Sequence, residues 1–411
     1  MNNELLEKYA EVLLETCLKI ETGQPLFISC DIERMDFVRI LSKIAYNLGV
    51  KDIYYDLHDS YLKHEALKNL KIEELKKLTF WNKEIWNIYA KKNAAFLMLT
   101  SNTPGLMKDI AKEKITAMTK YAFETRKEFE KYRDKSSLAW CIAAVPTEAW
   151  AKELYKNDNN ALDKLWNNIF DICSLKEEDP VKIWNEKINK LKIRAKKLTD
   201  YQFKTLFYKS SNGTNFKIDL PDKHIWQSGS ERIANSKDCL VNFPTEEVFT
   251  SPDCFSANGV VYSSKPLTYN DIIIDKFKIT FENGKVIEAS AKVGEETLNS
   301  MINICKNSNM LGEVALVPFD SPISNCNQVF LETLYDENAA CHLALGDSFT
   351  ECIENGPSIP KEELFNNYNL NNSDSHVDFM IGTSDLNITG ITKDQKEIPI
   401  FINGNFTEEF N

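Results

Sequence analysis

The sequence predicts an α/β N-terminal domain built on a parallel sheet, followed by an α+β, largely antiparallel C-terminal domain. In the first half, short apolar runs of strand length alternate with longer segments of helical periodicity, a pattern typical of a parallel sheet covered by helices. From about residue 200 the sequence pattern changes to short apolar runs separated by turn residues, which is typical of antiparallel strands. With 411 residues, 43% of them hydrophobic, the chain is long enough for two domains, predicted at 1–190 and 191–411.

The elements of the first half follow from this periodicity. Apolar residues at helical spacing predict helices at 4–20, at 36–48 and, in a Lys- and Glu-rich region, from about 60 to 90. Apolar runs predict strands at 25–30, 52–57, 94–100 and 137–145. No Gly-x-Gly-x-x-Gly follows the first strand and no Gly-x-x-x-x-Gly-Lys-Ser/Thr occurs, so nucleotide binding is weakly supported and this domain is predicted to be a scaffold.

A charged helical segment from 147 to 200 is predicted to lead into the second domain. Beyond it, strands are predicted at 203–208, 215–220, 260–263, 272–281, 285–289 and 313–317, with a helix at 294–306. Asn283-Gly284 lies between two of these runs, and Asn-Gly in that position is a strong signal for a two-residue hairpin.

Composition restricts the class of protein. The chain has 49 Lys and Arg against 61 Asp and Glu, a net charge of −12, which argues against nucleic acid as a partner. The N-terminal residues do not resemble a signal peptide and no apolar run reaches the length of a membrane span, so we expect a cytoplasmic protein without membrane association. Ten cysteines are scattered singly without any Cys-x-x-Cys pair, and we expect reduced, mostly buried thiols.

Two of the five histidines, His342 and His376, lie among carboxylates in apolar surroundings near the C-terminus. A strand directs alternate side chains to one face, so His376-x-Asp378 would project both groups toward one point. Imidazole and carboxylate together suit zinc, cobalt or manganese. The alternatives are an ordinary polar pair at 376 and 378, and a hydrogen-bonded histidine in a buried helix at 342. A nucleophilic Cys341 is disfavoured because neighbours on a helix point about 100° apart.

Carboxylates elsewhere in the second half show the same combination of charge and apolar context. Glu246 and Glu247 are adjacent in an apolar segment after a proline, and Glu313 begins an apolar run. A charge buried there without a partner would be costly, and a cation would remove that cost. The alternative for each residue is a solvent-facing carboxylate at the end of a strand.

These residues belong to longer segments that, in order and spacing, resemble the aminopeptidase T/aminopeptidase S family of metallopeptidases. The segments are Asn-Phe-Pro-Thr-Glu-Glu-Val-Phe-Thr-Ser-Pro at 242–252, Glu-Val-Ala-Leu-Val-Pro-Phe-Asp-Ser-Pro at 313–322, Thr-Leu-Tyr-Asp-Glu-Asn-Ala-Ala-Cys-His-Leu-Ala-Leu-Gly at 333–346 and His-Val-Asp-Phe-Met-Ile-Gly at 376–382. The resemblance extends over the whole chain in length and domain order.

The resemblance implies a homodimeric aminopeptidase that releases N-terminal residues from short peptides with a free N-terminus. It also implies that two divalent ions (zinc, cobalt or manganese) are held by Glu247, Glu313, His342, His376 and Asp378, with Glu337 as a further carboxylate near the metals. Two such ions can activate a water molecule and polarise the scissile carbonyl.

Peptide hydrolysis also requires a carboxylate that relays the proton of the water to the leaving amine. Glu246 is the candidate from the sequence, although neighbours on a regular strand face opposite sides, so this role requires a bend, and its alternative is a salt-bridged glutamate. One position departs from the family pattern: Phe349 stands where the family typically has a tyrosine close to the metals. The alternative function is therefore a catalytically weak, peptide-binding relative.

Overall fold

The computed structural model describes residues 2–78, 80–101, 103–134, 137–156, 158–233, 237–269 and 272–411. Thr79, inside the predicted helical region from 60 to 90, lies outside the described residues. The chain divides into two compact units: Met1–Asn185 with Ser230–Pro244, and Glu186–Gly229 with Thr245–Asn411. The predicted boundary at 190–191 and the division after Asn185 both fall within one helix, Pro180–Tyr201. Residues Ser230–Pro244 also belong to the first unit, whereas the sequence prediction places them in the second domain.

The strands are, in chain order, β1 (Leu26–Asp31), β2 (Ile53–His58), β3 (Ala95–Thr100), β4 (Trp140–Ala144), β5 (Thr205–Lys209), β6 (Asn215–Asp219), β7 (Gln227–Ser228), β8 (Ser230–Arg232), β9 (Asp238–Leu240), β10 (Asn242–Phe243), β11 (Val248–Thr250), β12 (Asn258–Tyr262), β13 (Leu267–Tyr269), β14 (Ile272–Glu282), β15 (Lys285–Val293), β16 (Leu311–Leu316), β17 (His342–Gly346), β18 (His376–Met380), β19 (Asn387–Ile391), β20 (Glu397–Ile402) and β21 (Asn405–Phe406).

The helices are α1 (Asn3–Glu11), α2 (Met35–Asn47), α3 (Ser60–Asn69), α4 (Ile72–Leu78), α5 (Phe80–Lys91), α6 (Lys112–Thr125), α7 (Lys127–Asp134), α8 (Glu148–Leu154), α9 (Ala161–Ile172), α10 (Pro180–Tyr201), α11 (Glu295–Ile302), α12 (Pro322–Asn325), α13 (Thr333–Asp336) and α14 (Lys361–Tyr368). A π-helical segment, Val12–Cys17, continues α1, and short 3₁₀ turns occur at Ile32–Arg34, Glu337–Ala339, Thr350–Cys352 and Gly356–Ser358. No helix among the described residues is both long enough and apolar enough to cross a membrane.

The first unit is an α/β unit with a five-stranded sheet in the order β10-β4-β3-β1-β2, and all of its strand pairs are parallel. The inner strand β1 is buried over nearly its whole length, as expected for a strand with β2 and β3 as neighbours on its two edges. Phe27 on this strand packs against Phe96 and Trp86, with ring centroids 5.0 and 4.6 Å away. The predicted parallel α/β half of the fold is confirmed.

The second unit contains two antiparallel sheets. One has five strands in the order β18-β17-β16-β11-β7, and the other has nine, with β15 pairing to β14 at its margin. The predicted hairpin joins β14 to β15 through Asn283 and Gly284, which have φ angles of +50° and +83°. A Cβ at Gly284 would lie 2.1 Å from the carbonyl oxygen of Cys254, so only glycine fits there. The antiparallel half of the fold class is also confirmed.

The second unit also buries an ionisable group away from the histidine and carboxylate segments. His224 is 1% exposed, and the neutral ring donates its Nδ1 hydrogen to the carbonyl oxygen of Pro221 at 3.0 Å. Burial lowers the pKa of His224 to about 4. Because the unfolded chain takes up this proton near pH 6.5, the folded state loses stability as the pH falls from about 6.5 toward 4.

We therefore expect the wild-type protein to lose about 2 kcal/mol more unfolding free energy between pH 7 and pH 5 than His224→Gln, which has no titrating ring. Urea unfolding at the two pH values measures this difference. His58→Gln is the matched control, because His58 is exposed. Equal pH dependence in wild type and His224→Gln would contradict the assignment.

Candidate metal centre

One face of the five-stranded sheet carries the predicted ligands. Residues paired across antiparallel strands point to the same face. Glu313 on β16 pairs with Ala344 on β17, which in turn pairs with Asp378 on β18. His342 and His376 lie at alternate positions of these same strands, so all four ionisable side chains project from one face. The intervening residues of the strands, among them Val314, Leu343, Leu345 and Phe379, are in the hydrophobic core on the opposite face.

A bulge in β16 determines which face Glu313 occupies. Leu311 pairs with Leu345 and Glu313 pairs with Ala344, so the register shifts between them at Gly312. In a regular strand, residues 311 and 313 would lie on the same face, because side chains alternate with period two, and the bulge instead places Leu311 on the core face and Glu313 on the opposite face. A Cβ at Gly312 would lie 2.1 Å from the carbonyl oxygen of Asp347, so the bulge requires glycine.

The side chains meet in two groups that share one residue. In the first group, ligand atoms of Glu247, Glu313 and His342 lie within 4.8 Å of one another, and in the second so do those of Glu313, His376 and Asp378. His342 Nε2 is 3.4 Å from Glu247 Oε2, and His376 Nε2 is 3.2 Å from Glu313 Oε2 and 3.3 Å from Asp378 Oδ1. All five residues that the family resemblance assigns to metal binding are therefore in one place.

Backbone carbonyls orient both imidazoles. Nδ1 of His342 is 3.2 Å from the oxygen of Ala340, and Nδ1 of His376 is 2.8 Å from the oxygen of Asp347. A carbonyl oxygen only accepts hydrogen bonds, so each neutral ring carries its proton on Nδ1 and presents the Nε2 lone pair to the carboxylates. Asp378 Oδ1 is buried and has no hydrogen-bond partner. The two Nε2 atoms and the buried carboxylate oxygens that face them are suitable ligands for a zinc, cobalt or manganese ion.

The pKa shifts of the cluster indicate that positive charge stabilises its buried carboxylates. Burial raises the pKa of both Glu247 and Glu313 to about 7, and neighbouring carboxylates add to the effect. Burial by itself would lower the pKa of His376, but Asp378 and Glu313 raise it well above its usual value. Burial opposes ionisation of Asp378, yet the nearby His376 brings the pKa of that carboxyl down to about 2. Protons therefore supply positive charge wherever no metal cation does.

Glu337 lies beside these groups but is not a member of either. Burial raises its pKa well above the usual range, and the negative charges of Asp378, Glu247 and Glu313 raise it further, so its carboxyl is within electrostatic range of theirs. The side-chain amide of Asn338 donates to Glu337 Oε1 at 3.4 Å. The position is compatible with the predicted role as a further carboxylate near the metals.

Glu246 has a different environment from its neighbour Glu247. Both residues lie in the irregular segment before β11, but the Glu246 carboxylate forms an ion pair with the ammonium of Lys187 on α10. The backbone N–H of Glu246 donates to Asn338 Oδ1 at 2.8 Å. The salt-bridged alternative is thus present in the structure, and the catalytic role of Glu246 stays a prediction.

Three further predictions concern side chains in the cluster or next to it. The ring of Phe349 lies 5.0 Å from the ring of His376, so this residue is at the site, as the resemblance implies. His342 begins a strand, so the alternative of a buried helix is wrong there. The thiol of Cys341 donates to the carbonyl oxygen of Val317 at 3.2 Å, and burial raises its pKa to about 12, which excludes a thiolate nucleophile.

Sequence reasoning missed the aromatic residue Phe249. Its ring packs edge-on against the ring of Phe349, with centroids 5.1 Å apart. Phe249 follows Glu247 by two positions, and that spacing is the signal that could have placed both on one face.

Carboxylates and imidazoles gathered in this way on a rigid sheet define a metal-binding protein. The profile of the family described as "Thermophilic metalloprotease (M29)" matches residues 2–406, and the chain belongs to this family. It is 38% identical to Aminopeptidase 2 of Geobacillus stearothermophilus and 35% identical to Aminopeptidase AmpS of Bacillus subtilis, each over 98% of both chains. The solved structure of wild-type AmpT from Thermus thermophilus covers 98% of this chain and 99% of its own, with 30% identity and a TM-score of 0.91. The predicted family and enzyme class, a metalloaminopeptidase, are confirmed.

The ion pair of Glu246 generates a stability prediction. Lys187→Met would leave the Glu246 carboxylate, whose side chain is only 8% exposed, without its partner. We expect a loss of about 1–3 kcal/mol in unfolding free energy, below the range for fully buried pairs because the Lys187 side chain is 23% exposed. Urea unfolding of both single variants and of Lys187→Met with Glu246→Gln completes a double-mutant cycle.

The matched control is Lys196→Met on the same helix, because the Lys196–Asp200 pair is largely exposed and should contribute less than about 1 kcal/mol. A Lys187→Met cost no greater than that of the control would show that the Glu246 pair is not a structural contact.

Proposed function

We propose that this protein is an aminopeptidase that removes the N-terminal residue from short peptides with the help of two divalent cations. The observation that carries the proposal is the shared glutamate: Glu313 belongs to both groups of ligand atoms. One ion would be held by Glu247, Glu313 and His342, and the other by Glu313, His376 and Asp378. A bridging carboxylate is the usual way to keep two ions close enough to act on one substrate.

The chain's own residues prepare the site for this chemistry. Bound divalent ions would supply an activated water molecule and polarise the scissile carbonyl. The carbonyl oxygens of Ala340 and Asp347 hold the two imidazoles with their Nε2 lone pairs toward the cluster, so the ligands need little rearrangement. The core-facing side of the same sheet keeps the strands rigid, which favours precise positioning.

Preference for a free N-terminus follows from charge. Glu337 adds a carboxyl group beside the ligand carboxylates, and such an acidic environment attracts the α-ammonium of a peptide. A blocked N-terminus carries no positive charge and would lose this interaction. The cluster therefore favours an exopeptidase over an enzyme that cleaves within chains.

For the proton relay, Glu246 is the candidate from the sequence. Its carboxylate pairs with Lys187, and a carboxylate can accept a proton from the attacking water. Glu337 is the second candidate, because its carboxyl lies among those of Asp378, Glu247 and Glu313. Either residue would pass the proton to the leaving amine.

The alternative function is a peptide-binding relative with weak catalysis. It is favoured by Phe349, because a phenyl ring beside His376 cannot donate a hydrogen bond to a developing oxyanion. A cytoplasmic homodimer is part of the main proposal. The family resemblance supports the dimer, and the ten free cysteines support a reducing compartment.

Hydrolysis of L-leucine p-nitroanilide separates the two functions. We expect release of nitroaniline by protein loaded with cobalt, zinc or manganese, loss of release with a chelator, and recovery when metal is restored. N-acetyl-leucine p-nitroanilide is the matched control and should remain uncleaved, because it lacks the ammonium group. Absence of chelator-sensitive release with every metal would exclude the enzyme and favour the weak relative.

Metal content provides an independent prediction. Glu313→Gln should lose both ions, because it removes the carboxylate common to the two groups, whereas His342→Ala should lose chiefly one. Elemental analysis after dialysis, with circular dichroism to verify folding, measures the stoichiometry.

The control for charge removal is Glu288→Gln, since Glu288 pairs with Lys278 on the β14–β15 hairpin. Full metal content in Glu313→Gln would be incompatible with a bridging role for that residue.

A further inference from the structure

Phe249 occupies the same face of the five-stranded sheet as the candidate ligands. It pairs with Ala315 on β16, and Ala315 pairs with His342 on β17, so the three side chains form one row across the strands. The middle residue is the smallest of the three. Its small side chain does not separate the phenyl ring of Phe249 from the imidazole of His342.

A second phenyl ring, that of Phe349, contacts both the ring of Phe249 and the imidazole of His376. The rings of Phe249 and Phe349 meet at 60° with centroids 5.1 Å apart, and Phe349 lies 5.0 Å from the ring of His376. Ser251, which is fully buried, accepts a hydrogen bond from the backbone N–H of Phe349 at 2.9 Å and so fixes its position. Both phenylalanines are only partly buried, so their rings are accessible.

The two rings differ from their surroundings in chemistry. The candidate ligands, with the ions that they would hold, form a polar surface for the backbone atoms of a peptide, whereas the rings of Phe249 and Phe349 offer only apolar surface. In an N-terminal residue, the side chain and the ammonium are attached to the same carbon atom. A side chain whose ammonium is held near the carboxylates must therefore lie within a few ångströms of them, where the two rings are available.

We propose that Phe249 and Phe349 form an aromatic wall that contacts the side chain of the substrate's N-terminal residue. The enzyme then prefers apolar N-terminal residues, such as leucine, over glycine, because the apolar side chain is removed from water against the rings. This inference rests on the proposed function, which it makes more specific, and Phe249 is its specificity-determining residue.

The test compares the kcat/KM values for L-leucine p-nitroanilide and glycine p-nitroanilide. Phe249→Gln should lower the leucine-to-glycine ratio by about tenfold, because a polar side chain replaces the apolar contact. Phe249→Leu, which keeps an apolar side chain, should retain the ratio within about threefold. A purely structural role would change both substrates by the same factor and leave the ratio constant, which would overturn the proposal.

Two controls accompany the comparison. Phe255→Ala removes an exposed phenyl ring that packs on Phe365, and should leave the ratio unchanged. Thermal melting of each variant shows whether it is folded, and Phe249→Ala, which removes the ring, replaces Phe249→Gln if that variant does not fold. In that case, a leucine-to-glycine ratio in Phe249→Ala equal to that of the wild type overturns the proposal.

Failure of the aminopeptidase function would be recognised separately. If no substrate is cleaved, calorimetric titration with L-leucinamide and glycinamide still reports on the aromatic wall. Tighter binding of leucinamide than of glycinamide by the wild type, reduced in Phe249→Gln and retained in Phe249→Leu, supports the wall without catalysis. The absence of any such preference overturns it.

Discussion

Mutual repulsion of buried carboxylates on one sheet face is the constraint on which the rest of this site depends. Two like charges 4 Å apart repel by about 4 kcal/mol at an effective dielectric constant of 20. Glu247, Glu313 and Asp378 approach one another on a face that excludes most water. Burial raises the pKa of both glutamates to about 7, and repulsion from the neighbouring carboxylates adds to this effect. Divalent cations relieve it, so stability and metal binding are linked.

The surrounding structure holds the ligands in this unfavourable arrangement. The bulge at Gly312 turns Glu313 away from the core, and the oxygens of Ala340 and Asp347 fix the orientation of the imidazoles. Apolar side chains on the opposite face of the same strands provide the packing that keeps them in register. The hydrophobic core thereby supports a site that would not form by itself.

Glu246 and Glu247 are adjacent in the sequence but contact different partners. Glu247 approaches His342, whereas Glu246 pairs with Lys187, and Asn338 contacts both the backbone of Glu246 and the carboxyl of Glu337. Asn338 thus joins the segment before β11 to the segment before β17. Because Asn338 is fully buried, these contacts hold the two segments in fixed positions.

The sequence by itself determined the fold class and the residue types of the site, because periodicity and turn chemistry are local properties. The strand position of His376 and Asp378 and the Asn283-Gly284 hairpin followed from spacing alone. Only the tertiary structure decided that Glu313 faces the ligands, that Glu246 pairs with Lys187, and that Phe249 lies beside Phe349. These outcomes depend on strand register and on contacts between distant segments, and neither is encoded in a pattern of neighbouring residues.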